Sequence, residues 1–180
     1  MHIDLQSSFF RKSGLSVDEA EITRDVLLGM KQGDIALSRG VHLPDVAAHL
    51  DNVRMKANIP SVRGAHSLRV LLKHALSDGL QITVDEYTVE RVTDRLRPEQ
   101  KSALLRVACA QTNPEIIESV QGLTAFKLTR ALRQSLSALS ARDGTHAALI
   151  AVAGTLARGE CIEVWPNTSV SVEGDEPSGP

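Results

Sequence analysis

Asp34-Ile35-Ala36-Leu37-Ser38-Arg39-Gly40-Val41-His42-Leu43-Pro44-Asp45-Val46 decides the fold, because its pattern returns at Glu115-Ile116-Ile117-Glu118-Ser119-Val120-Gln121-Gly122-Leu123-Thr124-Ala125-Phe126-Lys127-Leu128. In each stretch a short apolar cluster, Ile35-Ala36 or Ile116-Ile117, is followed within six residues by a Gly and an aliphatic residue, Gly40-Val41 or Gly122-Leu123. A longer amphipathic segment comes next, with Val46 and Leu128 both six residues beyond the Gly. Gly64-Ala65-His66 and Gly144-Thr145-His146 then precede a last apolar helix. Self-similarity over a long period signals duplicated structural units. Leu15 to about Leu76 and Leu96 to about Ala157 therefore share one plan of four helical segments. Helix, short helix, Gly turn and longer helix outline a helix-turn-helix, so the sequence predicts two of them.

Composition supports an all-α fold: two tetrahelical helix-turn-helix domains in tandem, joined by a helical connector. Aromatic residues make up only 3 % of 180 positions, which suits small aliphatic helical cores better than a sandwich or barrel. No apolar run is long enough to span a bilayer, and no signal-peptide core is evident at the N-terminus. Cys109 and Cys161 lack metal-ligand spacing and read as free thiols of a reducing cytoplasm. The net charge of −2 conceals an asymmetry: residues 15–80 balance eight bases against eight acids, whereas 96–159 hold eight against four. A polyanion partner is thus compatible with the second unit taken alone.

The expected boundaries are 1–14 for an N-terminal segment, with Phe9 and Phe10 docking onto the first unit; 15–80 for the first domain; 81–95 for the connector; 96–159 for the second domain; and 160–180 for an acidic, disordered tail. Ser16 is a natural N-cap with Asp18 and Glu19 in the opening turn. Pro44 and Pro98 sit at helix starts, Asn113-Pro114-Glu115 is a further start, and Thr124 caps the longer helix of the second unit. Ile162, Val164 and Trp165 suggest one short extended piece.

Leu15-Ser16, Glu19, Glu21-Ile22, Gly29, Asp34-Ile35-Ala36, His49-Leu50, Asn52-Val53, Lys56 and Ile59 resemble, without a gap, the LuxR/GerE-type helix-turn-helix. Leu96, Pro98, Leu104, Thr112-Asn113, Glu115-Ile116 and Leu128 are similar to the same pattern, with one residue inserted before Gly122. The resemblance covers about two thirds of the chain and implies transcriptional regulation, with the third helix of each unit entering a DNA major groove. Positions of that family that touch DNA carry over to Ala47, Ala48 and Asp51 in the first unit and to Thr129, Arg130 and Arg133 in the second. Arg can hydrogen-bond a guanine edge or pair with a phosphate, whereas Asp is repelled by phosphate. The second unit is therefore expected to read DNA through Lys127, Thr129, Arg130, Arg133 and Gln134. Ala48, His49, Asn52 and Lys56 are secondary contacts to DNA or to a partner. The family's fourth helix also forms dimers, which points to Leu68, Leu72, Leu149 and Ile150 and to a homodimer on a roughly palindromic site.

Plainer readings stand beside these. Basic residues on a third helix are often a solvated face, and the apolar fourth helices can be core. His49 reads as a packing or capping residue, His42, His66, His74 and His146 show no metal spacing, and nothing resembles a nucleophile elbow or a phosphate loop, so neither a metal, a cofactor nor an enzyme activity is expected. Only about fourteen residues precede the first unit, so control is expected from expression level or a partner. The leading expectation is a bacterial or phage-type DNA-binding regulator acting on double-stranded DNA. The alternatives are an anti-activator or adaptor that docks onto another transcription regulator, and an architectural accessory factor of recombination.

Overall fold

The computed structural model describes residues 1–60, 65–160 and 167–173 of the chain. The chain is predominantly helical. After a strand β1 (His2–Ile3) and a short helix α1 (Ser8–Lys12), four helices follow: α2 (Val17–Leu27), α3 (Gln32–Arg39), α4 (Leu43–Lys56) and α5 (Ala65–Ser77). Strand β2 (Gln81–Val84) and α6 (Glu86–Asp94) lead to four more helices, α7 (Pro98–Ala108), α8 (Asn113–Ser119), α9 (Ala125–Leu139) and α10 (Gly144–Ala157), and β3 (Ser169–Val172) comes last. None of the described helices is long and apolar enough to cross a membrane.

Helix lengths in the two quartets run 11, 8, 14, 13 and 11, 7, 15, 14 residues. Gly40 and Gly122 both turn the chain between second and third helices at positive φ, +65° and +75°, where a β-carbon is unfavourable. Ser16 starts α2 as expected: its hydroxyl accepts the Glu19 N–H while Glu19 accepts the Ser16 N–H, a reciprocal capping box. Thr112, one residue before the expected Asn113, caps α8, its N–H donating to Glu115 Oε2 at 2.6 Å.

Three findings differ from the sequence reading. The connector is not wholly helical, because Ile82 and Val84 alternate inward as strand β2. Within the tail expected to be disordered, Ser169–Val172 forms a strand that pairs with β2 in parallel, Ile82 opposite Val170 and Val84 opposite Val172. β1 adds to the other edge of β2, antiparallel, giving the order β1-β2-β3. Ile162, Val164 and Trp165, Cys161, Gly64 and residues 174–180 lie outside the described residues.

The third difference concerns the fourth helices. Ten of the fourteen residues of α10 are buried, as expected of a helix apolar on all sides. It packs against α6 and α7 most extensively, and also touches α2, α5, α9, β2 and β3. Leu149 and Leu72 are fully buried and Ile150 is 7 % exposed, while Leu68 is half-buried against Ile22, Val26 and Leu50. Leu72, Leu149 and Ile150 are therefore interior to one chain and cannot form the dimer contact expected of them. One apolar core runs from Ile3, Phe9 and Phe10 through Leu71, Leu76 and Ile82 to Val107, Leu128 and Leu149, so the two quartets share an interior.

Candidate nucleic-acid interface

Helix α9 is amphipathic. Thr124 caps it, its hydroxyl accepting the Lys127 N–H at 3.3 Å. Leu128, Ser135 and Leu139 are buried at helical spacing, Leu132 and Leu136 half-buried beside them, and the Ser135 hydroxyl is satisfied by the Ala131 carbonyl at 2.8 Å. The opposite face carries Lys127, Thr129, Arg130 and Arg133, all exposed, with Phe126 75 % exposed at its start. Lys127 Nζ donates to the Gly122 carbonyl at 3.0 Å.

Gln134 stands differently from the other four. It is half-buried, and its Oε1 accepts from Arg97 Nη2 at 2.6 Å and from Gln100 Nε2 at 3.4 Å. Its carboxamide therefore fastens α9 to the start of α7. Arg97, which the sequence reading passed over, thereby joins the α9 face: it lines with Lys127, Arg130 and Gln134 an open hollow of about 560 Å³. The only signal for it in the sequence is the surplus of bases in residues 96–159.

The corresponding surface of the first quartet is electrostatically closed. Arg39 is held by Asp25 at 2.6 Å and Glu21 at 2.7 Å, and these two carboxylates raise its pKa. Arg24 pairs with Asp25 at 2.9 Å, Lys56 with Glu19 at 2.6 Å, and Arg54 with Asp51. Among the described residues no carboxylate lies within ion-pair distance of Lys127, Arg130 or Arg133. One third helix thus offers uncompensated positive charge, and the other does not.

Of the secondary positions, Ala48 is exposed, Asn52 is half-buried, and His49 is half-buried with an Nδ1 that has no hydrogen-bond partner among the described residues. Lys56 is occupied by Glu19. The first quartet also exposes apolar side chains: Leu37 at 84 %, Leu43 at 51 % and Val41 at 40 %. Cys109 is free and half-buried, and burial pushes its thiol pKa up, against the pull of Lys73 and Arg106. Among the described residues no group of three or more His, Cys, Asp or Glu is placed to hold a metal ion. Compared with known proteins, the chain matches no protein-family model, no curated protein and no solved structure.

Proposed function

We propose that the chain is a DNA-binding transcriptional regulator built on two helix-turn-helix units of LuxR/GerE type, acting in the cytoplasm, with the second unit reading the major groove through α9. The observation that carries this reading is the contrast between the two third helices. Lys127, Arg130 and Arg133 are exposed without a carboxylate partner among the described residues, whereas Arg54 and Lys56 are spent on Asp51 and Glu19. A helix with an unneutralised basic face fits the groove of a duplex, and Arg is the side chain that can hold a guanine edge with two hydrogen bonds. In this reading Arg130 and Arg133 contact bases or phosphates, Thr129 and Lys127 contact the backbone, and Gln134 positions the helix by its bond to Arg97.

A single helix-turn-helix spans few base pairs, so specific binding normally uses two copies about 34–36 Å apart. Two chains on one palindromic site would then have to meet through a surface other than Leu72, Leu149 and Ile150.

Selection of bound duplexes from a random library, followed by titration of the selected site, tests the proposal. Replacing Arg130 and Arg133 with Ala should weaken binding by about 1–3 kcal/mol per lost bidentate contact and relax the sequence preference at those positions. Wild-type affinity and preference in that variant would remove α9 as the reading helix.

A second reading rests on the exposed Leu37, Val41 and Leu43 of the first quartet. These suit an adaptor or anti-activator that docks onto another regulator protein. Co-purification of one stoichiometric regulator, lost in a Leu37→Ser, Leu43→Ser variant and unaffected by Arg130→Ala, would favour it.

A further inference from the structure

Four basic side chains from two helices, α5 and α7, converge where the first quartet meets the second. Arg69 of α5 reaches across and donates to the Gln111 carbonyl at 2.9 Å and to Asn113 Oδ1 at 3.1 and 3.2 Å. Arg106 of α7 donates to the Gln111 side chain at 3.3 Å, and its buried Nε has no partner among the described residues. Lys73, one turn beyond Arg69 on the same face of α5, is exposed, and its charge reaches Cys109 together with that of Arg106. His66, one turn before Arg69, sits near Glu115.

The acceptors that orient Arg69 and Arg106 are neutral, so they aim the guanidinium groups without cancelling their charge. Glu115 is a carboxylate of this neighbourhood, and it already accepts from the Thr112 N–H at 2.6 Å and the Thr112 hydroxyl at 2.7 Å. Among the described residues no ion pair involves Arg69, Lys73 or Arg106. Like charges brought together repel, and Arg69 is partly desolvated as well, so that burial lowers its pKa. A guanidinium nonetheless stays charged at neutral pH. Such a gathering gains stability when a polyanion lies against it.

The cluster borders the first turn of α8, through Arg69 at Asn113 and His66 near Glu115, and α8 packs against α9. In a helix-turn-helix the helix before the reading helix crosses the nucleic-acid backbone. We infer that the α5–α7–α8 junction is a second contact surface for the same duplex, where Lys73, Arg69, Arg106 and His66 grip its phosphates. The first quartet would thus contribute to DNA binding through α5 and not through α4. This rests on the reading of α9 as the groove helix, yet it can fail independently of it.

The test uses the full chain, a mixed-sequence duplex of about three helical turns, and titrations over a series of salt concentrations. Lys73→Gln and Arg106→Gln should each lower the slope of log affinity against log salt by about 1 and weaken binding equally on every sequence. Lys73→Glu should weaken it further, and Lys73→Arg should restore the wild-type slope. Lys73 is exposed, so its variants keep the fold, and an unchanged melting curve verifies this. Wild-type slope and affinity in both Lys73→Glu and Arg106→Gln would overturn the inference. If Lys73→Glu loses affinity while Arg130→Ala, Arg133→Ala does not, the junction stands and α9 falls as the reading helix; the reverse removes the junction alone. A wild-type chain that binds no duplex overturns both.

Discussion

Lys56 Nζ, in the last turn of α4, lies 2.6 Å from Glu19 Oε2 in the first turn of α2. The same carboxylate accepts the Ser16 N–H at 2.7 Å, so one buried group both caps α2 and fastens α4 to it. Burial is the largest single influence on Glu19 and raises its pKa, but the bonds from Lys56 and Ser16 together outweigh it and hold the carboxyl below its ordinary range. A folded-state pKa below the unfolded one gives stability that is present above the unfolded value and lost as pH falls through the folded one. Thermal stability of the wild type should therefore decline below about pH 4.3, and part of that decline should be absent in Glu19→Gln. Lys56→Met should lower stability by about 1 kcal/mol at neutral pH without affecting DNA binding. Melting curves across pH and a binding titration measure both. An acid limb identical in Glu19→Gln would show that this carboxylate is not part of it.

Gly154 of α10 faces Val92 of α6 so closely that a β-carbon there would come within 2.7 Å of Val92 Cγ2 and 2.8 Å of its Cβ. Val92 is itself 1 % exposed and β-branched, with little freedom to turn aside. Ala is favoured over Gly in a helix by about 1 kcal/mol, yet overpacking a core costs about 1–3 kcal/mol. Gly154→Ala should accordingly destabilise the chain, and Val92→Ala in the same background should recover part of the loss. Denaturant titrations of the three proteins decide it; a more stable Gly154→Ala single variant would mean that α6 moves freely.

Leu149 illustrates how far the sequence could be read and where it stopped. The repeat around Gly40 and Gly122, with the caps at Ser16 and Thr124, was legible because those signals are local: a positive-φ turn and a side-chain cap each need only a few neighbouring residues. An apolar fourth helix is a weaker signal, since its own chain and a partner would cover it equally well. In the fold its own chain covers it. The sheet was missed for a different reason: β2 has four residues and β1 two, and their partners lie about eighty positions away, beyond any periodicity. The basic face of α9 was legible as composition, and the Arg54–Asp51 pair of α4 is local, but the pair that closes Lys56 was not legible, because Lys56 and Glu19 are 37 residues apart.

The burial of Leu149 yields its own expectation. Leu149→Ala should cost about 2–5 kcal/mol, the range for emptying a buried leucine site, and should leave the oligomeric state of the remaining folded protein unchanged. Chemical denaturation combined with light scattering reads both quantities. A shift in molar mass at unaltered stability would put Leu149 at a contact between chains.

The segment 167–173 should behave as part of the fold. Asn167 Nδ2 donates to the Ser77 carbonyl at 3.1 Å, the Thr168 hydroxyl to that of Leu76, and β3 closes one side of β2. Deleting residues 167–180 removes these bonds and uncovers the edge beside Ile82 and Val84, both buried. The deleted protein should melt lower, and the Ile82 and Val84 amides should exchange faster with solvent. Unchanged exchange there would show that β3 adds nothing to β2.

Asp51 occupies in α4 the place that Arg133 occupies in α9, each eleven residues after the turning Gly. Its side chain is 70 % exposed and pairs with Arg54. If only α9 reads the groove, Asp51→Asn acts on DNA binding through one exposed charge, worth at most about 1 kcal/mol or roughly fivefold. The change should be a slight gain, because a carboxylate that repels the phosphates at a distance is removed. Ala48→Ser, at the place of Arg130, should be neutral. Arg130→Ala with Arg133→Ala should instead lose the larger amount expected of base contacts. Titrating one selected duplex with all four proteins separates the cases: comparable losses from Asp51 and Arg133 substitutions would make both third helices readers and end the asymmetry between them.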